Sequence, residues 1–478
     1  MAFQDNYPLP ELTIDIPIKG TMFDYQKPGA AYIMQNKEVI VGDQMGLGKT
    51  LQSIAAVTGA NAFPCLVICP ASLKYNWEKE WLQWTDHKPM ILTDSMVNTF
   101  PLFYRAGIAD VFIVNYESLR KYFVAEVPRK KGWRLSEVKF KEHINIFRSV
   151  LVDEAHRVKD PSAQQTKFVK GIMAGKEYKI LLTGTPLINS PKDLAAQLSI
   201  VGQIDKFGGY SRFIDYYNTK NPARLEELRD KLFSTCYYRR EKSEVTDLPP
   251  KTRKVVMVDI TTIDEYRVAE EDLVKYLREY KNASDGEIAR KMRGEVMVRI
   301  GILKNISARG KLAAFNEFTK DTLANGEKLI VFGHLTEVLS EFKAQFPGCV
   351  SVMGIDKPID RQQSVERFQN DPKTKLIVCS IGAGGVGYTL TESNIVGYIE
   401  QRWHPAIMDQ AEDRAHRIGQ NYPVTCVYFL GKGTIDLWVY NIIESKRKVA
   451  NAVYGTEEEM EVEITNELIG LFSQKYNI

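Results

Sequence analysis

Residues 39–54, VIVGDQMGLGKTLQSI, constrain this chain more than any other stretch. Val39, Ile40 and Val41 read as the end of a buried strand. Residues 42–48 are glycine-rich and lead into Lys49 and Thr50, after which Leu51, Ile54, Ala55 and Val57 recur at helical spacing. Strand, glycine turn and helix in that order predict a phosphate-binding loop. Glycines let backbone N–H groups close on phosphate oxygens without Cβ clashes, and the helix aims its positive dipole end at the same anion. Lys49 is expected to neutralise the β- and γ-phosphates, and Thr50 to offer its hydroxyl to Mg2+. Asp43 stands where the strict pattern has glycine. The alternative is a tight strand-to-helix turn whose glycines serve only packing.

A chain of 478 residues exceeds what one core usually holds, so two or three domains are expected. The net charge of +3, from 63 basic and 60 acidic residues, is too small to indicate a nucleic-acid partner by itself. Any basic surface must therefore be local. The six cysteines include no C-x-x-C pair, which argues against a zinc site and for reduced, buried thiols. The N-terminus has no basic start followed by an apolar run, so no signal peptide is expected. The uncharged residues 51–73 contain Gly59, Pro64 and Pro70, and read as a helix turning into a strand rather than a membrane span. A soluble, intracellular protein follows as the expectation.

Along the chain, Gln26 and the aromatics before it precede the loop; adenine contact and a plain helix start with a core aromatic are both open there. Trp77, Trp81 and Trp84 fall at i, i+4 and i+7, and core packing is favoured over base stacking. The basic stretch at 121–143 reads as a solvated loop or hairpin in preference to a DNA-facing patch. Strands are predicted at 65–69, 111–114, 149–152 and 180–182. The strand at 149–152 runs directly into Asp153 and Glu154, two carboxylates at the strand end where α/β sheets bind ligands. Asp153 suits Mg2+, partly through water, and Glu154 suits orienting and deprotonating an attacking water. The strand at 180–182 ends in Thr183, Gly184 and Thr185, whose hydroxyls can relay the state of the phosphate site. Residues 190–240 are mainly helical in pattern. The prolines 249 and 250 mark a boundary, after which strands and helices alternate again. The fold expected is α/β, with mostly parallel sheets covered on both faces. In the second half, Arg414 and Arg417 are spaced one helical step apart, and residues 382–387 are glycine-rich without a following Gly-Lys-Ser/Thr.

With these pieces in order, the chain resembles helicase superfamily 2, and within it the Snf2 family of DNA-dependent ATPases. The matching strings are Gln26, DQMGLGKT at 43–50, CPASL at 69–73, NYESL at 115–119, DEAH at 153–156, LTGTPLINS at 182–190, LPPKT at 248–252, GAGGVGYTLT at 382–391 and QAEDRAHRIGQ at 410–420. The compact helical region at 190–240 is similar to the branch containing the annealing helicases. The resemblance implies two RecA-like lobes in tandem with helical insertions and ATP in the cleft between them. The expected parts are an extension at 1–20, lobe 1 at 21–245, a linker at 246–256, lobe 2 at 257–455 and an acidic helix or tail at 456–478.

Several roles follow from the resemblance. Gln26, Asp43, Gln44, Met45, Gly46, Leu47, Gly48, Lys49, Thr50 and Gln410 would bind ATP. Thr50 and Asp153 would hold Mg2+, and Glu154 would act on the water. Arg414 and Arg417 would reach the γ-phosphate. His156, Thr183 and Thr185 would couple the sites, and Ser72, Tyr116, Gly385, Thr389 and Thr391 would touch the DNA backbone. Asn394, Arg402, His404 and His334 depart from the family's usual residues. The activity implied is ATP-driven translocation on DNA, duplex in preference, in repair, recombination or fork remodelling. A strand-separating or annealing helicase and a nucleotide-gated DNA-binding protein with weak turnover are the alternatives. No membrane partner is expected.

Overall fold

Near-continuous runs of Val, Ile, Leu and Cys make strands that must be covered on both faces, and parallel sheets flanked by helices satisfy that demand. In the computed structural model, which describes residues 10–13, 15–130, 132–184, 191–219, 221–281, 286–384, 387–448 and 457–477, two such sheets form. The chain divides into two units, Met1–Asp247 and Leu248–Ile478. Each is a RecA-like α/β lobe.

The first unit holds a seven-stranded sheet in the order Pro89–Ile91, Val111–Asn115, Cys65–Cys69, Ser149–Val152, Tyr178–Leu182, Glu38–Val41, Tyr237–Tyr238. All its pairings are parallel. Cys65–Cys69 is buried along its whole length, as expected for a central strand. Trp77 and Trp81 are buried on helix Lys74–Trp84, in keeping with the packing reading. The basic stretch forms a small antiparallel pair, Val124–Glu126 with Lys139–Phe140. Three of its lysines are neutralised locally, in the pairs Lys121–Asp94, Lys130–Glu137 and Lys139–Glu126.

Tyr237–Tyr238 adds a strand to the mainly helical stretch 190–240. These two residues pair parallel to Ile40 and Val41 at the sheet edge. The hydrophobic period of the preceding helices hid a strand too short to show alternation.

The second unit holds a six-stranded parallel sheet in the order Lys251–Val258, Val424–Gly431, Ile395–Tyr398, Leu329–Gly333, Leu376–Ser380, Val350–Val352. Residues 251–256, expected as linker, are therefore the start of a sheet strand. Helix Glu457–Tyr476 replaces the expected choice of helix or tail. Met460, Ile464, Leu468 and Phe472 recur every four residues on it and are buried with Tyr266, Leu273 and Ile443. Each such side chain contributes about 1.5–3 kcal/mol on burial. Among the described residues, no helix is long and apolar enough to cross a membrane.

Candidate nucleotide-binding site

Helix Lys49–Gly59 begins immediately after Gly48, whose φ of 75° is left-handed, as is that of Gly46 at 89°. A Cβ on Gly48 would lie 2.2 Å from Gln26 Nε2, so sterics and backbone angle both demand glycine. Lys49 Nζ donates to the Asp43 carbonyl at 2.6 Å, which places the ammonium over the loop. Thr50 follows in the first turn of the helix and is half-buried.

Two residues expected to contact the nucleotide also build the loop. Gln26 is 3% exposed. Its Oε1 accepts from Phe23 N at 3.1 Å and its Nε2 donates to Leu47 O at 3.4 Å. Asp43 is fully buried. Its Oδ2 accepts from Arg240 Nη2 at 2.5 Å and Gln52 Nε2 at 3.0 Å, and its Oδ1 from Arg240 N at 2.9 Å. The carboxylate is used up inside the protein, which corrects its assignment to ATP. Arg240 stacks its guanidinium over Tyr238, 4.7 Å from the ring centroid, and Arg239 Nη1 donates to Gly42 O at 2.9 Å. Gln44 Oε1 accepts from Lys242 N at 2.7 Å. The short edge strand at 237–238 is what brings these residues to the loop. Sequence reading missed Arg239 and Arg240. The only signal was a paired Arg-Arg nine residues before a double-proline boundary.

Met45 and Leu47 complete the loop. Met45 packs where a Cβ on Gly184 would stand, 2.5 Å from Met45 Cγ, so the loop tip rests on the segment after strand Tyr178–Leu182. Thr183 is buried in that segment, with its N–H donating to Val41 O at 3.0 Å. Thr185 lies outside the described residues.

Asp153 and Glu154 follow strand Ser149–Val152, which is separated from Glu38–Val41 only by Tyr178–Leu182. Loop, Thr183 and carboxylates thus share the C-terminal edge of one parallel sheet. Asp153 Oδ2 accepts from Trp77 Nε1 at 2.9 Å and Oδ1 from Glu154 N at 2.9 Å. Burial, reinforced by the Glu154 charge, pushes the Asp153 carboxyl up to about 6, against the opposing Trp77 hydrogen bond and Lys49 ammonium. Glu154 has φ 53° and ψ 51°, a left-handed backbone that costs a non-glycine residue about 1–2 kcal/mol. His156 Nδ1 sits 3.3 Å from Glu154 Oε2.

Tyr116 is corrected from a DNA-facing position to an internal one. It is 1% exposed and its hydroxyl donates to Asp153 O at 2.5 Å. Ser72 is half-buried in the turn Ala71–Leu73 that follows strand Cys65–Cys69.

In the second unit, helix Pro405–Glu412 carries Gln410 and then stops. Residues 413–419 are turns, so Arg414 and Arg417 are not one helical step apart as expected. Arg414 is buried, and its carbonyl accepts from Leu390 N at 2.9 Å. Arg417 is half-buried, near Gly387 O. What fixes this turn is Glu412, fully buried, which accepts from Arg253 through both oxygens at 2.6 Å and from Tyr428 OH at 2.7 Å. Burial alone would raise its pKa, but Lys251 and Arg253 together hold the carboxyl well below the usual range. Thr389 and Thr391 are half-buried, and Thr391 O and Oγ1 accept from Gln420 and Gln369. Gly385 lies outside the described residues. Two departures from the family meet each other: Arg402 Nη1 is 2.7 Å from His334 Nδ1. Burial, with Lys304 and Arg402 nearby, lowers His334 to about 3.

Among the described residues, no group of three or more His, Cys, Asp or Glu could hold a metal ion. The donors at the first site, one carboxylate and one hydroxyl beside a phosphate cradle, suit Mg2+, which binds through one or two protein oxygens plus substrate phosphates.

A profile for the SNF2-related domain matches residues 25–307, and one for the helicase conserved C-terminal domain matches residues 310–419. Over 464 residues the chain is 29% identical to the SWI/SNF-related matrix-associated actin-dependent regulator of chromatin subfamily A-like protein 1 homolog of Caenorhabditis elegans, an alignment covering 90% of this chain and 62% of that protein. It is 28% identical over 479 residues to the DNA annealing helicase and endonuclease ZRANB3 of Homo sapiens, covering 93% of this chain and 42% of that protein. A solved structure, the Sulfolobus solfataricus SWI2/SNF2 ATPase core in complex with dsDNA, aligns over 96% of this chain and 98% of that one, with 24% identity and a TM-score of 0.44. The chain thus spans between 42% and 62% of the length of these two curated relatives.

Proposed function

The chain belongs to the SNF2-related family, and from that membership and the geometry of its loop we propose that it hydrolyses ATP when bound to DNA and moves along the phosphate backbone of the duplex. The observation that carries this reading is the shared sheet edge, where Lys49, Thr50, Asp153 and Glu154 stand at the ends of parallel strands. The backbone N–H groups around Gly46 and Gly48 bind the phosphates with Lys49. Thr50 and Asp153 would hold Mg2+, which would supply charge neutralisation at the transferred phosphoryl group. Glu154 orients and deprotonates the attacking water, with Trp77 and Tyr116 fixing the strand end beneath it. Arg414 and Arg417 stabilise charge in the transition state, a contribution on the order of 10³-fold or more. Gln410 lines the same site. His156 and Thr183 pass its state onward, and Ser72, Thr389 and Thr391 bind DNA phosphates, which makes binding sequence-independent and salt-sensitive.

A second reading, annealing or branch migration, has one observation in its favour: a relative 28% identical over nearly the whole chain is named a DNA annealing helicase. Repair, recombination or fork remodelling is the corresponding setting. The deciding experiment measures ATP hydrolysis on single-stranded, duplex, forked and four-way-junction DNA. Duplex is expected to stimulate; a rate unchanged by any DNA would sink the proposal. Triplex displacement without unwinding separates translocation from strand separation. Glu154→Gln is expected to keep ATP binding and lose turnover.

A further inference from the structure

The chain passes from the first unit to the second at Asp247–Leu248. On either side of that crossing it is pinned to the two segments that the proposed function places on the phosphates. Upstream, Arg239 holds Gly42 O, Arg240 holds Asp43, and Lys242 N holds Gln44 Oε1 at 2.7 Å, all on the phosphate loop. Downstream, the Pro249 carbonyl accepts from His416 Nε2 at 2.8 Å. Lys251 Nζ lies 2.8 Å from Glu412 Oε2 and 3.1 Å from Asp413 Oδ1. Arg253 grips Glu412 with two bonds and Asp409 with a third at 2.9 Å. All of these act on residues 409–416, beside Gln410, Arg414 and Arg417.

Little slack separates the two sets of anchors. After Lys242, residues 243–245 are wound into a short helix that ends at Val245. Pro249 and Pro250 then fix their own φ and stiffen the path. The Pro250 carbonyl is held as well, by Val424 N at 3.0 Å. The side-chain contacts of Lys251 and Arg253 are additional to the backbone ladder that pairs Lys251–Val258 with Val424–Gly431. The charge-assisted contacts converge on two fully buried carboxylates, Asp43 and Glu412, and burying a carboxylate is costly unless its partners are held in place.

We propose that residues 239–253 form a strap that positions Arg414 and Arg417 according to the state of the phosphate loop, with His416 as the positioning residue that fastens its downstream end. The inference rests on the reading of those arginines given above. A rearrangement of the loop is transmitted through Arg239, Arg240 and Lys242 into the strap, and from Pro249, Lys251 and Arg253 into the turn at 413–417. His416 must carry its proton on Nε2 to make this bond, since the partner is a carbonyl.

The experiment lengthens the strap just past its short helix, where Thr246 bonds back to Lys242 O within the strap itself. Insertion of Gly-Ser-Gly-Ser between Thr246 and Asp247 adds about 13 Å of flexible chain. Fluorescent ATP-analogue affinity and the melting temperature should match the parent, and DNA-stimulated kcat should fall about 10- to 100-fold, the scale of a small misplacement at a reacting centre. His416→Ala should lower kcat in the same direction with the KM for ATP unchanged, and His416→Gln, whose amide can still donate, should recover to within threefold. Combined with Arg417→Ala, the insertion should lower kcat no further than Arg417→Ala alone. Insertion with kcat within twofold of the parent overturns the strap, as does an insertion effect that multiplies with that of Arg417→Ala. Full turnover in Arg417→Ala with the strap intact overturns the arginine assignment instead.

Discussion

Arg240→Ala tests how the phosphate loop is held. In the structure both side chains of the Asp43–Arg240 pair are fully buried. Removing the guanidinium strips Asp43 of its 2.5 Å partner and of the weaker contact from Arg240 Nε, leaving the carboxylate with Gln52 Nε2 and the residue 240 backbone N–H. An unpaired buried charge of this kind costs about 3–5 kcal/mol. The lost stacking of Arg240 on Tyr238 adds about 0.5–1 kcal/mol. Against a domain stability of roughly 5–15 kcal/mol, this is a large fraction.

At about 2–4 °C per kcal/mol for a unit of this size, the first unit should melt roughly 7–24 °C lower. Four of the six tryptophans, Trp77, Trp81, Trp84 and Trp133, lie in that unit and Trp403 and Trp438 in the other, so tryptophan fluorescence is weighted toward the first unit's transition. A cycle with Asp43→Asn supplies the control. If the pair is coupled, Arg240→Met with Asp43→Asn should cost clearly less than the sum of the single changes. A cost below about 1 kcal/mol for Arg240→Ala, or an additive cycle, would refute the claim that Asp43 is a loop anchor and return it to the nucleotide.

Two further changes test neighbouring features. Gly48→Ala should cost about 1–3 kcal/mol, because alanine meets both a φ of 75° and Gln26 Nε2 at 2.2 Å, and should weaken ATP-analogue binding at least about tenfold. In the second unit His334 stays neutral down to about pH 3, whereas an unfolded histidine protonates near 6.5. Below about pH 6.5 the unfolded state therefore takes up the proton first, and stability falls as pH drops through that window. Thermal unfolding of His334→Gln between pH 8 and pH 5 should show a shallower loss than the parent.

The sheets were legible because their strands are continuous apolar runs, and the chemistry was legible because glycine spacing and adjacent carboxylates announce themselves. Four features were not. Tyr237–Tyr238 is too short for a period of two to register. Helix Glu457–Tyr476 has an acidic start that masks the four-residue apolar stripe beneath it. Arg414 and Arg417 share a spacing that a helix and a pair of turns both allow, and only the end of helix Pro405–Glu412 decides between them. Tyr116 and Gln26 carry polar groups that suit a ligand equally well as a backbone carbonyl 37 or 21 residues away. For the short strand, the terminal helix, Tyr116 and Gln26 the deciding fact is a contact between residues far apart in sequence, such as Tyr116 OH on Asp153 O or Gln26 Nε2 on Leu47 O.

The two buried carboxylates, Asp43 and Glu412, have the same physical logic. Each stands beside residues proposed to meet phosphate, and each is gripped by an arginine from the stretch 239–253. Buried ion pairs add little net stability over apolar substitutes of the same volume, but they penalise every arrangement in which the partners fail to meet. The hydrophobic sheets already supply the core of each unit, so these pairs are poorly explained as glue. They are well explained as registration devices, placed at the two segments where an error of about 1 Å would cost a large factor in rate. Stability and position are thus supplied by different residues. Variants at Asp43, Arg240, Arg253 and Glu412 should accordingly lose turnover through geometry even where compensating apolar pairs restore the melting temperature.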